Sequence, residues 1–165
     1  MNATTKRLLA TLLVFSCLTA LPLHRSAAEA TPEGDIAVVV HSETPVSELS
    51  LADVRKVFLG ERQYWNAKLP VTLLIRAPVT RERDVALRVI YQMSEAQFKQ
   101  YWVAKIFRAE AVFPPKIVYS NDMQNELVMA MPGAIAFVDA RNVRPGVRVL
   151  RVEGHLPGDR EYPLR

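Results

Sequence analysis

The segment Ile36-Ala-Val-Val-Val-His41 sets the strongest limit on how this chain can fold. Five apolar residues stand in succession, and four of them are β-branched. A strand facing water on one side would alternate apolar with polar residues. A run without alternation reads as a strand buried on both faces, so it needs cover above and below. Two further runs have this character, PVTLLI (70–75) and AIAFVDA (134–140), and VRVLRV (147–152) alternates like an edge strand with Arg148 and Arg151 outward. Helical spacing lies between them. Ser50 and Asp53 form a capping box ahead of a helix with Leu51, Val54 and Phe58 on one face, and Gly60 fits its end. Residues 82–93 continue helical, with Val85 and Val89 on one side. Ser94 and Gln97 open a helix carrying a Phe98, Trp102, Ile106 stripe. Ser120 or Asn121 caps a last helix that Pro132-Gly133 stops. The segment ERQYWNAKL reads as loop, with Trp65 packed on the preceding helix, and the tail after Val152 reads as loose. The order predicts an α/β fold: a small, mostly parallel sheet flanked by helices.

The chain has 165 residues, half of them apolar, which suits one domain with a sizeable core. Its amino end has a different character. Lys6 and Arg7 precede the apolar run LLATLLVFSCLTALPL, and small residues follow at Ser26, Ala28 and Ala30. A charged start, an apolar stretch and an A-x-A-type site form a secretory signal over residues 1–30, cleaved after Ala28 or Ala30. Residues 31–165 are then the mature domain, exported to the periplasm and touching the membrane only through the signal. The single cysteine, Cys17, lies in the apolar stretch beside a poor lipidation box, so the mature domain has no thiol chemistry.

Little here points to catalysis. His41 and His155 have no second ligand at metal spacing, and His24 leaves with the signal. The six glycines form neither a dinucleotide fingerprint nor a phosphate loop, and no nucleophile elbow appears. The expectation is a non-enzyme with no metal and no cofactor. The net charge of +4 comes from 21 basic and 17 acidic residues that are scattered, without the aromatic-interleaved clustering of a nucleic-acid surface.

The suggestive stretch is LLIRAPVTRERDVALRVIY (73–91). A strand ends at Arg76, and a short loop with Pro78 and Thr80 leads into a helix. That arrangement suits an oxyanion. The plain structural alternative is that Arg76 pairs with a nearby carboxylate and Thr80 is only an N-cap.

Several stretches together resemble the periplasmic phosphate-binding proteins of ABC transporters. They are the helix Leu51–Gly60 ending in VFLG, the tryptophan loop at Trp65, the strand ending at Arg76, and MPGAIAFV (131–138). The likeness covers about residues 35–152. It implies one lobe of a type II periplasmic binding protein, a phosphate or similar small anion as ligand, and an ABC transporter permease or another envelope protein as partner. The family's oxyanion motif is R-x-D-G-S-G-T. On it, Arg76 matches the arginine and Thr80 stands for the serine, while Pro78, Val79, Arg81 and Glu82 replace the aspartate, the two glycines and the threonine. Pro78 removes a donor, Val79 hinders close backbone approach, and Glu82 places a carboxylate where the helix dipole favours the ligand. Arg81 and Arg83 offer side-chain donors in return. Ser42 and Thr44, just after the first strand, are expected at the same mouth, because open α/β sheets bind ligands at strand carboxyl ends. Two functions are compatible with these residues: binding of phosphate or a related oxyanion for uptake, or an envelope interaction module in which a binding-protein lobe has lost its ligand site.

Overall fold

The computed structural model describes residues 34–111 and 113–165. The segment expected to be a secretory signal, 1–30, lies outside the described residues. Among those described, no helix is long and apolar enough to cross a membrane.

The all-apolar runs are the central strands. β1 (Ile36–His41) and β7 (Ala134–Asp139) pair antiparallel, with Val38 opposite Phe137. β5 (Thr72–Arg76) lies parallel to β7 and to β6 (Lys116–Val118), and β8 (Val147–Val149) pairs antiparallel with β1. The order is β6-β5-β7-β1-β8. Four strands therefore point one way, and β1 alone is reversed.

Alternation along each strand sorts the core into two layers. Ile36, Val38, Val40, Ile75, Ile135 and Phe137 face one side. There they meet α1 (Leu51–Phe58) through Val54, Val57 and Phe58, and α3 (Glu95–Phe107) through Phe98 and Trp102. Phe58 stacks on Phe137 with centroids 4.0 Å apart. Ala37, Val39, Leu74, Ala136 and Val138 face the other side, against Val128 of α4 (Asn121–Ala130). Small alanines in these strands let α4 approach closely.

The caps agree closely with the sequence. Ser50 accepts from the Asp53 N–H at 3.0 Å. Ser94 and Gln97 form the full reciprocal box, and Ser120, rather than Asn121, caps α4.

Four features depart from the reading of the sequence. The helix after β5 is α only over α2 (Arg81–Val85), and Ala86–Tyr91 widens to a π-helix. The wider turn sends Ala86, Leu87, Ile90 and Tyr91 all into the core, and the Arg55 guanidinium donates to the Val89 carbonyl at 2.9 Å. On α3, Ile106 is outside the stripe and 40% exposed. Lys105 turns inward instead, its ammonium 3.5 Å from the Gly60 carbonyl. The "loop" ERQYWNAKL contains a hairpin of β3 (Tyr64–Asn66) and β4 (Leu69–Pro70), closed by the Asn66 side chain accepting from Lys68 and Leu69 N–H groups. The Trp65 indole donates to the Gly133 carbonyl at 2.9 Å, and the Thr72 N–H shares that acceptor at 3.0 Å. Gly133 has φ +82, and a Cβ there would meet the Pro70 carbonyl at 2.1 Å, so only glycine fits this junction.

The tail is the fourth departure. Beyond β9 (Arg151–Val152), which pairs parallel with β2 (Glu48–Leu49), it returns to the amino end of β1. The Ile36 N–H donates to the Leu164 carbonyl at 2.8 Å, and the Tyr162 hydroxyl donates to the Ile36 carbonyl at 2.8 Å. Both side chains are buried in the main core. Burial pushes the Tyr162 phenol well above its ordinary pKa. Leu164→Ala is expected to lower unfolding free energy by about 2–5 kcal/mol, seen as a lower urea midpoint. A surface tail would leave the midpoint in place.

Candidate functional site

β5 ends where the oxyanion reading needs it to, and the loop 77–80 carries the chain into α2. Pro78 is followed by Val79 in the left-handed region, φ 66, the order found in type II turns. That position suits glycine. Val79 holds it at a steric cost, with its side chain 95% exposed and no packing to offset the strain. The turn thus has a position that glycine would hold without strain, and the side chain there makes close backbone approach difficult.

The polar groups of this mouth are engaged from within. Arg76 is buried, with its Nε 3.7 Å from a Glu82 carboxylate oxygen and its Nη1 donating to the Val118 carbonyl at 3.3 Å. Glu82 is itself buried, in the first turn of α2, where the helix dipole favours its charge. The Thr80 hydroxyl donates to the Ala77 carbonyl at 3.0 Å and accepts from the Arg83 N–H at 3.4 Å, so it is the N-cap of α2. Arg83 points into the core. It is 1% exposed, grips Glu95 with two bonds of 3.0 Å, and lies 4.0 Å over the Phe98 ring. Arg81 approaches Asp139 at the end of β7, at 3.8 Å. Asp139 also receives the Arg141 side chain at 3.0 and 2.6 Å, and the Arg141 hydrogen bond holds its carboxyl below the usual range.

Ser42 and Thr44 do not join this group. Extending the β5–β7 register from Thr72–Ala134 brings Arg76 level with Val138, whose partner in β1 is Ala37. Because β1 runs the other way, its carboxyl end and Ser42 lie at the opposite pole, roughly 15 Å of strand away. There Ser42 is exposed, Thr44 is buried, and Arg148 donates to both of their carbonyls.

The structure therefore brings Arg76, Thr80 and Arg81 to one end of the sheet, turns Arg83 inward, and separates Ser42 and Thr44. The sequence marks Glu82 as a rival for the dipole but not as the partner of Arg76. It does not mark Asp139 or Glu95. The signal for Asp139 is a lone carboxylate closing an apolar strand next to the arginine strand. Unused hydrogen-bonding capacity remains: the donors Arg76 Nε and Gln124 Nε2 and the acceptor Gln124 Oε1, on the fully buried Gln124 of α4, have no hydrogen-bond partner. Among the described residues no cluster fit to hold a metal ion is present.

Known structures share this architecture. A protein described as a phosphate ABC transporter substrate-binding protein from Clostridium perfringens, solved with bound phosphate, matches with TM-score 0.59 and 18% identity over 73% of this chain and 46% of its own. An ABC-type phosphate transport receptor from Vibrio cholerae gives 0.60 and 18% over 75% and 48%, and PstS from Borrelia burgdorferi gives 0.61 and 14% over 79% and 54%. No protein-family model and no curated protein matches the sequence. The chain shares the fold of the matched part of these three proteins. The chain spans about half the length of these neighbours, as one lobe would.

Two measurements probe the mouth. Val79→Gly relieves the left-handed strain and is expected to change stability by about +0.5 to +1 kcal/mol in urea unfolding. Asp139→Asn is expected to destabilise at neutral pH. The folded pKa of Asp139 lies below its ordinary 3.8, so its contribution is present above that value and disappears as pH falls through the lower folded one. The gap between wild type and variant should be constant at neutral pH and close only below about pH 4.

Proposed function

We propose that this chain is an exported lobe of the binding-protein type that serves as a protein-interaction module in the cell envelope, its oxyanion mouth filled by its own carboxylate. The carrying observation is the burial of Arg76 against Glu82. The guanidinium expected to hold a free anion already faces a charge, and that charge sits in the first turn of α2, where an oxyanion would sit. The commitment of Thr80 to capping and of Arg83 to Glu95 supports the same reading. Export is inferred from the charged-then-apolar amino end and agrees with the transport role named for the structural neighbours.

A second reading, uptake of phosphate or a related oxyanion, has two supports. The Arg76 Nε and the Gln124 amide make no hydrogen bond, and one structural neighbour holds phosphate. Calorimetry with phosphate and sulfate separates the two. The interaction module gives no saturable heat from wild-type protein at millimolar anion, whereas Glu82→Gln, which keeps the shape and removes the charge, gains it. Saturable heat from the wild type, lost in Arg76→Ala, would instead establish the solute-binding reading.

A further inference from the structure

At the pole opposite Arg76 there is a second concave site, which the mouth does not explain. A cavity of about 290 Å³ opens between α1, the β3–β4 hairpin, α3 and the amino ends of β5 and β6. Its inner wall is Val57 and Trp102, both buried. The sheet side is Val71 and Leu73, and Tyr64 and Phe113 stand at its rim, 58% and 78% exposed. Gly60, at φ +67, belongs to the lining. A Cβ there would come within 2.9 Å of the Trp102 ring, so the bare glycine leaves the indole in place.

The charged residues that line this cavity have one sign. Its lining contains Arg62 and Lys116 and no carboxylate. Arg62 is fixed, donating to the Tyr64 and Trp65 carbonyls and lying 5.2 Å over the Trp65 ring. Lys116, exposed at the start of the edge strand β6, forms no ion pair with the described residues. The Trp102 Nε1 is buried without an acceptor. Exposed aromatic side chains at the lip of an apolar hollow are unfavourable in water unless something covers them, and a free cation at the rim favours an anionic head.

We infer that this cavity is a binding site for a small amphiphilic anion: a single apolar or aromatic ring carrying a carboxylate. The ring lies against Trp102 and Phe113, and the carboxylate meets Lys116. The volume sits at the lower limit of ligand pockets, which suits one ring and excludes larger scaffolds. The site does not depend on Arg76 or Glu82, so it stands whichever reading of the mouth holds.

The test uses the whole mature chain and 3-phenylpropionate as probe, monitored by tryptophan fluorescence and ligand-observed NMR. Saturable binding is expected, with the neutral 3-phenylpropanamide roughly fivefold weaker or worse. Phe113→Ala and Lys116→Glu change exposed side chains and leave the core intact, and each is expected to weaken the carboxylate by roughly tenfold. Lys68→Glu, the same charge change at the hairpin tip outside the lining, leaves binding unaltered. Absence of saturable binding, an equal response from the amide, or binding indifferent to both Phe113→Ala and Lys116→Glu in folded protein would each overturn the assignment.

Discussion

The reversed pairing of β1 with β7 governs the layout of the rest of the molecule. Both strands are free of polar side chains until their last residue, so both must be sealed on two faces. The helices α1 and α3 on one side and α4 on the other exist in that arrangement because these strands have no solvent face. The direction of β1 then decides chemistry. In a fully parallel sheet the loop after β1 would open beside the loop after β5. With β1 reversed, Ser42 and Thr44 leave at the far pole, and the mouth at Arg76 is built from the carboxyl ends of β5, β6 and β7, with the segment before β1 against Asp139.

That mouth carries an unusual balance of charge. Three arginines lie within eight residues, at 76, 81 and 83, and each is met by a different acid: Glu82, Asp139 and Glu95. Only Glu82 is near in sequence to its partner's strand. A buried pair of this kind contributes little net stability relative to apolar packing, but losing one member leaves a charge stranded. The arginines are therefore held by their acids as firmly as the acids by them. An incoming anion must compete with a carboxylate already in place and already favoured by the helix dipole. The loop between β5 and α2 holds Val79 in a conformation better suited to glycine, beside an arginine that already faces a carboxylate.

Much of the fold was legible because the strong signals are local. Apolar runs, capping serines and Pro-Gly stops gave strands and helices at nearly their observed bounds. What the sequence could not carry was non-local. No local pattern tells that Trp65 shares the Gly133 carbonyl with Thr72, 68 residues away for the indole, or that Lys105 rather than Ile106 turns inward, since that depends on the carbonyl of Gly60 across the interface. The direction of β1 is equally silent in its own residues. At the site, the position of Arg76 and the capping role open to Thr80 were visible from the strand-to-helix transition. The fate of Arg83 was not, because Glu95 and Phe98 come from the next helix.

The return of the tail to β1 has a kinetic meaning. The first strand finds no sheet partner among its neighbours in sequence. It pairs with 134–139 and 147–149, and its leading residue is fastened by Leu164 and Tyr162. Each of these closures spans most of the domain, and loop-closure entropy must be overcome before any of them is rewarded. The most buried strand is thus among the last that can be completed. The hairpin and the α3 region, whose contacts are shorter in range, form the ground on which it assembles. A chain with this order of events stays open for long after its helices can form.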